Sequence, residues 1–513
     1  MAVSLLIAAT GGLTLGVLAV LRAGVARDRW LATVEAHGEL QLWGWFAVFI
    51  TAVVFEFIVR LNGRPPIPLR PRALVLVLLG GGAVLSATGR LVDVAGQALV
   101  TVGATSLVIG ALALVVIVVR IRPAYPLRAD LHPLFFRAGV TWLLLAALAT
   151  LVASRGFLVG VTPFDESYLV AELVLRGFVM NVTIAVALRA FVGHLGLRPM
   201  PVERQRVLWV LVNLSIVVWA SGTGAWGLHG VPSLVAAGDL LFAGGLLWAT
   251  WALDVGRAAR GWRRPRHRAQ VLVPIAWIGL LTYAGALSVQ AAVALAGSSQ
   301  TSVFEAGATR HMLALGFVTP LLIAMAHVVL ERFLIGRLFG ETWLTIAFVL
   351  LVGAWPLRVV PPLVDSDVGA TAQALMGTAG VLTSGALLIA AAVAIWNALA
   401  TERYVRLLRS VEGLRPIPRA SGTQGVYTRD PGEESTRVHE VDVRPDIAAG
   451  REPFPRLMTA VGQLAPGDRL RLIAPFKPLP LYGVLAEHGF DHETEVKSDG
   501  SWHVIIRRRL ARG

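Results

Sequence analysis

Two histidines are the side chains of this chain best placed to do chemistry. His37 lies in Glu35-Ala36-His37-Gly38-Glu39-Leu40-Gln41-Leu42-Trp43-Gly44-Trp45, directly ahead of an apolar run to Val59. His311 lies in Arg310-His311-Met312-Leu313-Ala314-Leu315-Gly316-Phe317, ahead of Pro320 and His327. A neutral imidazole within an apolar helix needs a hydrogen-bond partner or a metal, and an ionisable group there marks a functional site by default. Two axial imidazoles from facing helices could ligate one haem iron. On a regular helix His37, Gln41, Gly44, Val48 and Thr51 share one face, so Gln41 and Gly44 are expected beside His37 at the cofactor. His327 is a third candidate metal ligand, about 24 Å further along at roughly 1.5 Å per residue. It lies roughly 160° around the helix from His311, so sharing one iron would need a turn of the helix at Pro320.

The chain has no cysteine. That excludes disulfides, thiolate nucleophiles, iron–sulfur clusters and covalently attached c-type haem. A metal must be held by His, Met or carboxylate.

Long apolar elements must carry these residues. Hydrophobic residues make up 56% of the chain and charged ones 15%, and apolar runs of at least about 17 residues mark membrane spans. Twelve are expected, centred on 3–21, 41–59, 73–89, 98–119, 138–154, 168–188, 207–226, 233–253, 271–296, 311–330, 343–361 and 375–398. The first has no small-residue cleavage site after a charged start and reads as a retained span. Arginines crowd alternate loops: Arg60 to Arg72, Arg120 to Arg137, Arg189 to Arg206 and Arg257 to Arg268. The positive-inside rule then puts both termini in the cytoplasm of a bacterial inner membrane, with His37 and His311 at one depth near the outer face. The basic stretch Gly261 to Arg268 reads as an orientation signal that attracts anionic lipid, not as a nucleic-acid site.

The architecture expected is therefore an all-α bundle of about twelve spans over residues 1–400, a flexible polar linker over 401–437, and a small α+β domain over 438–513. The domain's order is β-α-β-α-β-β: strands at Val438–Arg444 and Arg469–Ala474, helices from Pro453 to Leu464 and Leu479 to His488, then a hairpin of Glu493–Lys497 with Trp502–Arg507.

The His37–Trp45 stretch, with His311 to Phe317 and Met325-Ala326-His327, resembles the NnrS family. These are bacterial membrane proteins with haem and copper, linked to nitric oxide and denitrification, with twelve spans like the catalytic subunit of haem–copper oxidases. The resemblance implies haem, nitric oxide or a redox partner, and a role in nitric oxide metabolism or nitrosative stress. Oxygen and nitric oxide reductases also need an adjacent His pair, which this sequence lacks, so a complete oxygen-reducing binuclear centre is not expected. The last domain, with Asp442-Val443-Arg444, Pro466-Gly467-Asp468 and Pro478-Leu479-Pro480-Leu481-Tyr482, is similar to a small uncharacterised bacterial domain with the fold of the TusA sulfur carriers. Arg451-Glu452-Pro453 replaces the Cys-Pro that sulfur transfer needs, so a regulatory or docking role toward a cytoplasmic partner is expected. Two alternatives stay open. One is a haem-free, proton-coupled transporter with His37, Glu56, Glu172 and His327 as the relay; the other is a scaffold or sensor acting through the C-terminal domain.

Overall fold

The computed structural model describes residues 2–22, 29–62, 64, 66–122, 130–156, 161–195, 197–257, 269–297, 303–333, 339–364 and 368–413 of the helical part. In the C-terminal part it describes 438–448, 453–465, 467–475, 478, 481–482, 485, 489–497, 499 and 501–508. The basic stretch 261–268, the linker from 414 to 437, Arg451-Glu452 and most of the helix expected over 479–488 lie outside the described residues.

Twelve helices are long and apolar enough to cross a bilayer. They are α1 (Ala2–Leu21), α2 (Trp30–Leu61), α3 (Leu69–Leu91), α4 (Gly96–Arg120), α5 (His132–Ala153), α6 (Phe164–Phe191), α7 (Val202–Gly222), α8 (Pro232–Ala252), α9 (Val271–Leu295), α10 (Phe304–His327), α11 (Glu341–Val364) and α12 (Ala370–Ala400). Each overlaps one of the expected spans. The last helix continues to Gly413, so the stretch expected as a linker from residue 401 begins as helix.

Burial separates these helices into two groups. Within the most apolar window, 67% of α2, 94% of α6 and 72% of α10 is buried, against at most 50% in the other nine. The three central helices recur every fourth along the chain, and the others form a wall around them that closes where α12 packs on α1. Wall helices turn apolar side chains outward, among them Val77, Val102, Ile109, Val210, Ile278 and Val381, a surface that lipid tails would cover.

π-Helical turns interrupt α1 at Ala8–Gly12, α2 at Leu40–Ala47, α6 at Leu173–Val179 and Ala187–Phe191, and α10 at Ala314–Val318. A π turn inserts a residue into the α ladder, shifts the phase of everything after it, and is frequent at functional sites. Small residues let helices approach closely, as in other membrane bundles. At the α9–α10 crossing a Cβ on Gly279 would fall on the Gly316 carbonyl.

The C-terminal part is a four-stranded sheet of β1 (Val438–Asp442), β2 (Arg469–Ala474), β3 (Phe490–Val496) and β4 (Trp502–Arg508), in the order β1-β2-β4-β3. β1 and β2 run parallel, joined through two short helices, α13 (Arg444–Ala448) and α14 (Phe454–Gly462); the other pairs are antiparallel. Leu457 and Val461 of α14 pack on Leu470, Leu472, Val504 and Ile506. Four strands follow one another along the chain as expected and β3 pairs with β4 as expected; α13 was not expected, and β3 begins at Phe490 instead of Glu493.

At the end of β1, partial burial pushes the Asp442 carboxyl up, but bonds and charge from Arg444, with Nη2 at 2.7 Å and Nε at 2.9 Å, hold it below the usual carboxylate range. A depressed pKa contributes stability that is present above the unfolded-state value near 4 and lost as pH falls through the folded one. Amide exchange across β1 and β2 in the full chain should therefore quicken below about pH 4, and Asp442→Asn should flatten that acid limb. Gly279→Ala should part α9 from α10 and destabilise the bundle by about 1–3 kcal/mol, read as a lower unfolding temperature in detergent.

Candidate functional site

Backbone carbonyls in the π turn of α1 accept from side chains of other helices. Gly12 O accepts from His37 Nδ1 at 2.6 Å, Ala8 O accepts from Gln41 Nε2 at 3.1 Å, and Ala9 O accepts from Ser384 Oγ of α12 at 2.8 Å. On α10, the Gly307 carbonyl accepts from His311 Nδ1 at 2.6 Å, one turn before the π segment of that helix. A carbonyl can only accept, so both rings carry their proton on Nδ1 and keep a bare lone pair on Nε2. Metal-ligating histidines show this arrangement, in which a backbone carbonyl fixes the tautomer and the ring orientation.

The two rings face each other across the centre of the bundle, with centroids 6.4 Å apart and planes parallel to within 2°. That is too wide for ring stacking, which needs contacts of roughly 3.5–4 Å. With a metal–nitrogen bond of about 2 Å and a ring nitrogen about 1 Å from its centroid, two imidazoles on one metal would hold their centroids roughly 6 Å apart. The glycines of α1 make room for this, since a Cβ on Gly16 would stand 2.7 Å from His37 Nδ1 and displace the ring.

A cavity of about 200 Å³ surrounds the pair, walled by Trp45, Phe46, Phe304 and Leu387 and edged by Arg310 and Arg358. Arg358 of α11 makes no ion pair among the described residues, and its Nη1 is buried without a hydrogen-bond partner. Arg310 is only loosely held, 3.7 Å from Glu172 Oε1 and stacked over Tyr168, with Nε unbonded. A buried cation without a counter-ion is costly, so Arg358 is the lining residue with an unmet electrostatic demand among the described residues.

The other expected site residues are placed differently. Gln41 lines the cavity but uses its amide on Ala8. Gly44 faces Ile7 of α1, where a Cβ would come within 2.8 Å of that side chain, and does not line the cavity. The π turn over Leu40–Ala47 breaks the α-periodicity that put both residues on one face with His37. His327 is buried away from the pair, with Nδ1 3.0 Å from Ile323 O and Nε2 3.4 Å from Thr345 Oγ1. Among the described residues no three His, Asp or Glu side chains converge as a bare metal site would require.

Two buried ion clusters flank the cavity. Arg90 of α3 bonds to Glu35 and, at 2.8 Å, to Glu39 of α2, while Glu35 also takes Thr162 N and Ser167 Oγ. In α6, Arg176 bonds to Glu172 at 2.6 Å and to Asp239 of α8 at 2.5 Å, beneath Trp219 and Phe242. Nothing in the histidine motifs points to Arg90, Arg358, Arg176 or Asp239. The available signal was the presence of ionisable residues within apolar runs.

Residues 440–508 match a family model described as an uncharacterised conserved protein, DUF2249. No curated protein matches the chain.

Replacing Arg90 by Met leaves two carboxylates buried without their cation, which should cost about 3–5 kcal/mol. Thermal unfolding in detergent should show that loss, with partial recovery in the Arg90→Met, Glu39→Gln double variant.

Proposed function

We propose that this chain is a haem-binding integral membrane protein, with His37 and His311 as the two axial ligands of one b-type haem. The observation that carries this reading is the pair of parallel rings 6.4 Å apart, each with Nδ1 committed to a carbonyl. Two imidazoles supply two donors only, and a porphyrin supplies the other four in the plane between them. The residues fit such a group: Nε2 of each ring would take the iron, the apolar walls would cover the macrocycle, and Arg310 and Arg358 would pair with its carboxylates. Haem bound this way supplies a one-electron couple buried in a low-dielectric site. With both imidazoles given to the iron, the group would supply electron transfer, and a diatomic ligand would have to compete with His37 or His311. The role in nitric oxide metabolism or nitrosative stress rests on the resemblance of the two histidine segments to the NnrS family.

The reading places α1 to α12 in a bacterial inner membrane with both termini in the cytoplasm, supported by the apolar outward faces and the loop arginines. The C-terminal domain, TusA-like in strand and helix order, then lies on the cytoplasmic side as a docking or regulatory module. A copper site would need ligands beyond the pair, and His327 is the remaining candidate from the sequence.

Protein purified from haem-replete cells should show a Soret band of six-coordinate low-spin haem with about one iron per chain. Single alanine variants of His37 and His311 should turn it five-coordinate or weaken it, and the double variant should lose it. No Soret band, or one unchanged in the double variant, rejects the reading. Arg358→Met should keep the axial pair but release haem faster than the parent protein.

A further inference from the structure

A second cavity, of about 150 Å³, lies deeper in the bundle between α2, α6, α10 and α12. Its lining on α2 and α10 follows the histidines along their helices, from Phe49 to Phe57 and from Val318 to Ala326. Trp45 lines both this cavity and the one around the imidazoles. Small side chains leave the space open: Ala326 of α10 and Ala390 and Ala394 of α12 present only methyl groups to it. Every lining residue is buried or half-buried, and none is exposed.

The chemistry of the wall decides what can enter. Thr183 carries the only hydroxyl among the lining side chains and Trp45 the only N–H; the rest is hydrocarbon with the thioether of Met325. A buried water needs about two to four polar partners, whereas an apolar cavity of about 150 Å³ stays dry and takes up xenon or benzene. Atoms that line an empty space lack dispersion partners on one side, and an apolar guest of matching size supplies them. Size sets the upper limit. The cavity has room for a guest of about benzene's size, and a full-length lipid chain, several times larger, would not fit.

We infer that this cavity is a binding site for small apolar solutes, of the size of xenon, dioxygen or benzene, with the Trp45 indole between the solute and the imidazole pair. Such molecules leave water for hydrocarbon, so the bilayer is their source. The inference goes beyond the cofactor reading and does not depend on it, because the wall is the same with or without a metal at the rings.

Methionine methyl groups report on each space separately. Met325 lines this cavity, Met376 lines the imidazole cavity, and Met458 lies in the C-terminal domain. With seven methionines in the chain, ¹³C-methyl NMR of the full chain in lipid nanodiscs resolves few signals, and Met325→Leu assigns the one of interest. Under rising xenon pressure the Met325 methyl should shift along a saturating curve while Met458 barely moves. Ala394→Leu, which fills the cavity from α12, should abolish the saturable shift, and Val53→Phe fills it from α2 if Ala394→Leu folds poorly. A Met325 methyl that moves no more than Met458, a saturable shift that persists in the filled variants, or cross-relaxation from water or lipid chains to that methyl would overturn the inference.

Discussion

An imidazole buried among apolar helices must have its ring N–H satisfied, and in this molecule the surplus carbonyls and glycines around the pair meet that demand. Around the π turn in α1, the carbonyls of Ala8, Ala9 and Gly12 accept from side chains of α2 and α12, Ala8 while also holding the Leu13 N–H. One of them fixes the tautomer of His37. The Gly307 carbonyl does the same for His311 from within α10. Both lone pairs are thereby left for something else, and the two rings stand with parallel planes and centroids 6.4 Å apart. If either hydrogen bond is removed, that ring can turn or exchange tautomers, and the shared geometry is lost.

The rest of the bundle can be understood as support for that pair. α2, α6 and α10 are the most buried of the twelve helices, and His37 and His311 lie on two of them. Ion clusters on α2 and α6 tie these central helices to α3 and α8, with Arg90 joining Glu35 and Glu39 and Arg176 joining Glu172 and Asp239. Charges this deep contribute more to registry than to net stability, because their mutual attraction is largely offset by desolvation.

The twelve helices were legible in composition and run length alone, since a bilayer-length apolar stretch admits few other structures. The shared depth of His37 and His311 was legible as well, from the direction in which their helices run. The lateral arrangement was not. Helix periodicity places Gly44 beside His37, and the π turn over Leu40–Ala47 moves it against Ile7. No α-helical wheel carries the residue inserted there. The supporting residues come from elements with no motif: Gly12 and Gly16 on α1 and Arg358 on α11 matter only once the helices are packed. The C-terminal strands were legible from alternation and turns, although the end of the twelfth helix at Gly413 lies past the residue where the charged sequence suggested a linker.

The proposal that one iron sits between two parallel imidazoles is tested most directly by electron paramagnetic resonance of the oxidised, purified protein. Parallel axial ring planes predict a rhombic low-spin ferric signal. A high-spin signal, a highly anisotropic low-spin signal of the kind produced by crossed ring planes, or the absence of haem iron would contradict it.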